Sequence, residues 1–232
     1  MRKIYCVVII FCFYRTHGQS PADTSFVAQS VSASIDTYTR TVHGQTYLYN
    51  GSIYRKPEQT GDSHPFFESD DWAYGTVRYN NQLFLNVPLL YDIMSDKLIT
   101  ENINAAEIQL VYEKLSGFTI GRHKFAKIEA KSLPKNGFYE VLHDGPSQVV
   151  AWRLKLRRER IISLEIDITF DEKNRYYILK NDTYFPVKSK ASLLQVFADE
   201  KVALKQFMGK NKLHYRKDPE TALEWLPLNM IS

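Results

Sequence analysis

Between residues 47 and 188 the chain is cut at short, regular intervals by paired turn residues. They are Asn50-Gly51, Asn80-Asn81, Asn136-Gly137, Asp144-Gly145 and Asn181-Asp182. The segments between them are rich in Tyr, Phe, Val and Ile. Asn-Gly and Asp-Gly accept the positive φ angles that tight hairpins need. Parallel pairing would require crossovers longer than these gaps. The spacing therefore predicts an antiparallel meander, closed into a curled sheet or a partly closed barrel. Expected hairpin arms are Tyr47-Leu48-Tyr49 with Ser52-Ile53-Tyr54, 76–79 with 82–87, and 176–179 with 184–187. Further strands are expected at 108–112, 118–128, 138–142, 148–156 and 161–170. Pro88 places the following Leu89-Leu90-Tyr91 at an edge or a bulge.

Outside this region the apolar period becomes helical. Val31, Ile35, Tyr38 and Val42 fall on one helix face, with Gly44 as a stop. Towards the C-terminus, Leu193, Leu194, Val196 and Phe197 suggest one helix. Asp199 is a candidate cap for a second that carries Val202, Leu204, Phe207 and Met208. Asp218-Pro219-Glu220 supplies a cap, an N1 proline and a first-turn acid for a third. The expected class is α+β, mainly β, with an N-terminal helix and two or three C-terminal helices in segment 189–228. Gly and Pro together make 19 of 232 residues, and 44% are hydrophobic, so the chain has enough apolar surface to fold. No Pro/Ser-rich break interrupts the turns, and residues 19–232 read as one domain.

Arg2 and Lys3 precede an apolar run, Ile4 to Tyr14, of eleven residues. As a helix it would span about 16 Å, roughly half a bilayer's hydrocarbon core. A basic start, a short apolar run and a small-residue exit describe a signal peptide, with cleavage expected after Gly18. Phe11 before Cys12 is too bulky for a lipoprotein site. Loss of residues 1–18 would remove Arg2, Lys3 and Arg15, leaving 27 basic against 26 acidic residues and a net charge of +1. That balance argues against a general nucleic-acid binder. Cys6 and Cys12 both fall in the leader, so the mature chain would hold no disulfide, thiolate nucleophile or Cys-bound metal. No second run is long enough to span a membrane as a helix. The expected location is periplasmic, outer-membrane-associated or extracellular.

Several motifs occur in a recognisable order: YNG at 49–51, HPFF at 64–67, VPLLYD at 87–92, GFYEVL at 137–142 and YYILKNDTYFPVKSKASLL at 176–194. KNKL ending at Leu213 and DPE at 218–220 complete the series. In these the chain resembles an uncharacterised family of secreted proteins common in Gram-negative envelopes. The resemblance covers most of the mature chain. It implies export and transfers no catalytic residue.

Motifs that announce chemistry are missing from the sequence: no G-x-S-x-G elbow, P-loop, dinucleotide glycine fingerprint or H-E-x-x-H occurs. The five histidines after the leader are scattered, so no cofactor or metal is implied. Segment 61–72 (GDSHPFFESDDW) gathers Asp62, His64, Glu68, Asp70 and Asp71 around three aromatics. Carboxylates beside an imidazole suit cation binding or acid–base work. The plainer reading is a solvated loop whose Phe66 and Phe67 plug the sheet, with none of the five polar residues catalytic. Trp72, Tyr74 and Tyr79 flank this loop as a possible sugar-stacking platform. In segment 152–160 (WRLKLRRER), Trp152, Leu154 and Leu156 alternate with Arg153, Lys155 and Arg157. As a strand this has one apolar and one basic face, and the cations either meet acids on neighbouring strands or meet an anionic partner. The basic connector 210–217 (KNKLHYRK) points the same way. The leading expectation is an exported, non-catalytic protein that binds a glycan, lipid or protein. Two alternatives stand beside it: an exported hydrolase with spatially assembled carboxylates, and an envelope-assembly or chaperone-like component.

Overall fold

A computed structural model describes residues 48–145 and 147–226. The expected leader at 1–18 and the helix expected around Val31 to Val42 lie outside the described residues. Thirteen strands follow: β1 Ser52–Ile53, β2 Ala73–Tyr79, β3 Gln82–Asp92, β4 Lys97–Glu101, β5 Glu107–Gln109, β6 Leu115–Ile120 and β7 His123–Ile128. The series continues with β8 Gly137–His143, β9 Val149–Trp152, β10 Lys155–Ile162, β11 Glu165–Glu172, β12 Arg175–Lys180 and β13 Thr183–Val187. Helices α1 Lys190–Val196, α2 Lys201–Lys210 and α3 Pro219–Glu224 follow β13 among the described residues. Eleven strands make one antiparallel sheet in the order β1-β5-β4-β3-β2-β6-β7-β8-β9-β12-β13, and β10 with β11 forms a separate two-stranded hairpin. The large sheet is open, not closed. No described helix is long and apolar enough to cross a membrane.

The turn chemistry explains most of this order. Asn80 and Asn81 (φ 49 and 63) join β2 to β3, and Asn181 and Asp182 (φ 51 and 57) join β12 to β13, as the dipeptides predict. Two expected long strands instead fold back on themselves. Residues 118–128 divide at Gly121 (φ 54) into β6 and β7, and 161–170 divides at Ser163-Leu164 (φ 52 and 73) into β10 and β11. Neither Ser nor Leu favours positive φ, so the eight-rung β10–β11 ladder imposes the turn on them. Segment 148–156 also breaks, at Arg153-Leu154, between β9 and β10. Asn50-Gly51 closes no hairpin with Ser52-Ile53: β1 pairs with β5. A Cβ on Gly51 would stand 1.8 Å from the Gln109 carbonyl oxygen, so glycine is needed there for close approach. Pro88 lies where the β3–β4 ladder ends at Leu89↔Thr100, and the Thr100 hydroxyl donates to its carbonyl at 2.8 Å. On its other side Pro88 stands opposite Tyr74 and Leu89 opposite Ala73 of β2, so β3 is an interior strand here and not the edge that Pro88 suggests.

Strand alternation sorts the core onto two faces. Phe138 and Phe125 face a cluster with Phe67, Tyr91 and Phe118, in which the Phe118 and Phe125 rings stack at 4.8 Å. Tyr139, Val150 and Tyr177 point to the other face and pack with Leu133 and Tyr184. Val149, Ile178 and Val187 are covered by Leu193, Phe197, Leu204, Met208 and Leu223 of the helical segment. Ser189 and Ser192 close a capping box at α1. Asp199 does not cap α2, whose N-cap is Glu200 with no side-chain bond.

At α3 the Asp218 carboxylate accepts from Thr221 N–H at 3.0 Å. The Thr221 side chain first, and then this backbone bond, hold its pKa below the ordinary 3.8. Asp218→Ala is therefore expected to cost about 1 kcal/mol in urea melts at neutral pH. A depressed folded-state pKa gives stability that is present above the unfolded value and lost as pH falls through the folded one. The difference between variant and wild type should accordingly shrink below pH 3.8.

Candidate functional site

Residues 54–72 run from β1 to β2 and carry the acidic segment. Phe67 N–H donates to the Tyr91 carbonyl at 2.8 Å, and Ile93 N–H to that of Pro65 at 3.1 Å, so the loop is stitched along β3. Phe66 and Phe67 are buried, while Asp62, Glu68, Asp70 and Asp71 are exposed. Asp70 pairs with Lys56 at 3.6 Å, and Asp71 accepts from the Ser69 hydroxyl at 3.1 Å. The three aromatics form no platform. Tyr74 is 64% exposed, Trp72 packs half-buried against the Phe66 cluster, and Tyr79 is 1% exposed in the main core. Tyr74 and Tyr79 are an odd number of residues apart on β2, which sends them to opposite faces.

The basic strand face is likewise absent. The break at Arg153-Leu154 leaves the cations in it and just after it turned inward, and Arg153 and Lys155 are 4% and 9% exposed. Only Arg157 remains at the surface, paired with Glu159. Lys155 Nζ donates to the carbonyls of Phe66 at 2.7 Å and His64 at 3.0 Å, which pins the acidic loop to the hairpin. Burial lowers the Lys155 pKa, with Glu172 and Asp70 opposing the shift.

Arg153 belongs to a chain of charges that joins four elements. Its Nε donates to Glu140 Oε2 at 2.5 Å, and its two terminal nitrogens grip Glu220 of α3 at 2.8 and 2.6 Å. Glu140 on β8 also bonds His123 Nδ1 on β7, and His123 Nε2 meets Glu68 at 3.1 Å. Glu68 holds φ 52 to reach it. Burial works against the Arg153 charge, but Glu220 and Glu140 outweigh burial and raise its pKa. Nothing in the sequence joins His123, Glu140 and Glu220: Glu220 reads there only as the first-turn acid of α3. They are 17 and 80 residues apart along the chain and meet only because β7, β8 and α3 pack together. His123 and Glu140 lie on the same sheet face as Phe125 and Phe138, where polar groups are tolerated only when partnered. Among the described residues no group of three or more His, Cys, Asp or Glu is arranged to hold a metal ion.

The inner end of that chain reaches an open groove. Tyr176, near enough to Arg153 to feel its charge, lines one compartment of about 770 Å³ with Arg175, Tyr177, Pro186, Lys188 and Tyr215. A second compartment of about 640 Å³ is lined by Lys188, Lys190, His214, Arg216, Lys217 and Pro219. Lys188, Tyr215 and Pro219 belong to both. The Tyr215 hydroxyl donates to the Val187 carbonyl at 2.6 Å and ties the connector to β13. Five cations face this groove and neither lining includes an Asp or Glu. None of the five joins an ion pair among the described residues. His214 to Lys217, the second half of the basic connector, thus sit at a concave surface, whereas Arg153, Lys155 and Arg157 do not. No protein-family model, curated protein or solved structure matches the chain.

Proposed function

We propose that this is an exported, non-catalytic binding protein whose basic groove takes an acidic sugar, either an anionic glycan or a phosphorylated glycolipid headgroup. One observation carries the reading: Arg175, Lys188, Lys190, Arg216 and Lys217 line a concave surface that presents no carboxylate. Like charges gathered around a cleft focus the field and attract counter-charge. The Tyr and Pro side chains on its floor suit the apolar faces of a sugar ring. Export is supported by the basic start, the short apolar run 4–14 and the resemblance to secreted envelope proteins.

Titration calorimetry with an oligogalacturonate and with a phosphorylated disaccharide separates the two sources. Binding of at least one is expected, weakening steeply with salt as cations on the groove release counterions. Reversing two of the charges, Arg216→Glu with Lys217→Glu, should weaken it about tenfold or more. The reading fails if neither probe binds, or if the reversed pair binds as well as wild type.

A further inference from the structure

Away from the groove, the β10–β11 hairpin carries an unusual tip. Its base is anchored: Thr60 N–H donates to the Ile168 carbonyl at 2.9 Å, Phe170 N–H donates to Ser63 Oγ at 2.7 Å, and Ile168 and Phe170 are buried. Its far end is bare. Ile161, Ile162, Leu164 and Ile166 are 81%, 54%, 97% and 62% exposed. Ile161 and Ile166 are cross-strand partners, on the face of Ile168 and Phe170, while Ile162 opposite Glu165 lies on the other face. Leu164 crowns the turn at φ 73, a conformation that suits Asn or Gly and strains a branched aliphatic side chain. A Leu at this position is thus unfavourable in water on two counts, backbone and solvation.

We infer that the tip of the β10–β11 hairpin, Ile161 to Ile166, inserts into the surface of a charge-neutral, zwitterionic lipid layer. Three features select lipid over a protein surface. The aliphatic side chains cover both faces and the turn, which a lipid layer surrounds from every side and a single protein groove does not. The apolar length, about three residues at ~3.3 Å each, matches the 5–10 Å to which interfacial elements enter lipid. Behind it come balanced charges, the Arg160↔Asp167 rung and the Arg158–Asp171 ion pair, which complement headgroups carrying both signs. Across the hairpin, Lys155, Arg157, Arg158 and Arg160 face Glu159, Glu165, Asp167, Asp171 and Glu172, so attraction to an anionic surface contributes little.

The test uses the full chain with phosphatidylcholine vesicles. Leu164→Trp is expected to shift its emission to the blue when vesicles are added, relative to the wild-type spectrum, and to do so in high salt as well as low. Leu164→Asn should leave the fold intact, because Asn tolerates this φ, yet reduce vesicle partitioning roughly ten- to a hundredfold, the worth of one Leu side chain leaving an apolar phase. Absence of a blue shift with phosphatidylcholine overturns the inference, as does equal partitioning of Leu164→Asn. A shift that appears without vesicles and grows with protein concentration assigns the tip to a second copy instead. Retention only by phosphatidylglycerol, lost in high salt, assigns membrane contact to the basic groove. Failure of the groove to bind acidic sugars leaves all of these outcomes unchanged.

Discussion

Arg153→Ala should cost about 3–5 kcal/mol in urea denaturation, the toll of leaving a buried charge without its counterpart. Glu140 is 3% exposed, and one of its two oxygens has Arg153 as its hydrogen-bond donor. Without the guanidinium, the carboxylate must stay charged in an apolar setting or take up a proton, and either course is unfavourable. The same change releases Glu220 and with it the main polar tie between α3 and the sheet. Arg153→Lys should rescue only part of the loss, because an ammonium cannot span Glu140 and the two oxygens of Glu220 together. A loss below about 1 kcal/mol for Arg153→Ala would mean that water reaches Glu140 and that the chain of charges is a surface feature.

The second large effect is expected at Phe67. Its ring meets His123 edge-on at 5.0 Å and Phe125 at 5.2 Å, and Arg153 lies over its face at 5.8 Å. Phe67→Ala removes an aromatic plug and leaves a cavity, for which about 3–5 kcal/mol is expected by calorimetry or denaturant melts. Four residues further on, Asp71→Asn should change stability by less than about 0.5 kcal/mol, since the side chain is exposed and Asn still accepts from Ser69. Equal effects at the two positions would contradict the division of this loop into a buried aromatic half and a solvated acidic half.

That division was readable in advance, because Phe66, Phe67 and the acids differ so much in their preference for water. The antiparallel order and the three C-terminal helices were readable for similar reasons: Asn80-Asn81, Asn181-Asp182 and Asp218-Pro219 act through their own backbone preferences. What escaped was set by partners far along the chain. Ser163-Leu164 turns because eight cross-strand pairs demand it, and nothing local announces the reversal. The alternation of Trp152 to Arg157 promised an exposed basic face, but one break at Arg153-Leu154 swung Arg153 and Lys155 inward. Tyr79 reads as a surface ring in the sequence because aromatic residues look alike there whether they line a core or a ligand. The groove cations were half visible, since the connector's charge could be counted but not its place beside β13.

The strand order also has a meaning for a chain that emerges from its N-terminal end. β2 to β5 can pair in succession as they appear, and so can β6 to β9, each with a partner already present or arriving within a turn. β1 has no such neighbour: its partner β5 appears more than fifty residues later. β9 must likewise hold an open side until β12 arrives, while β10 and β11 complete a ladder of their own between them. A waiting strand is a hazard in proportion to its length, since unpaired backbone recruits other chains. At two residues, β1 offers almost nothing to recruit with. The strand that waits longest is also the shortest, so synthesis meets few sticky intermediates.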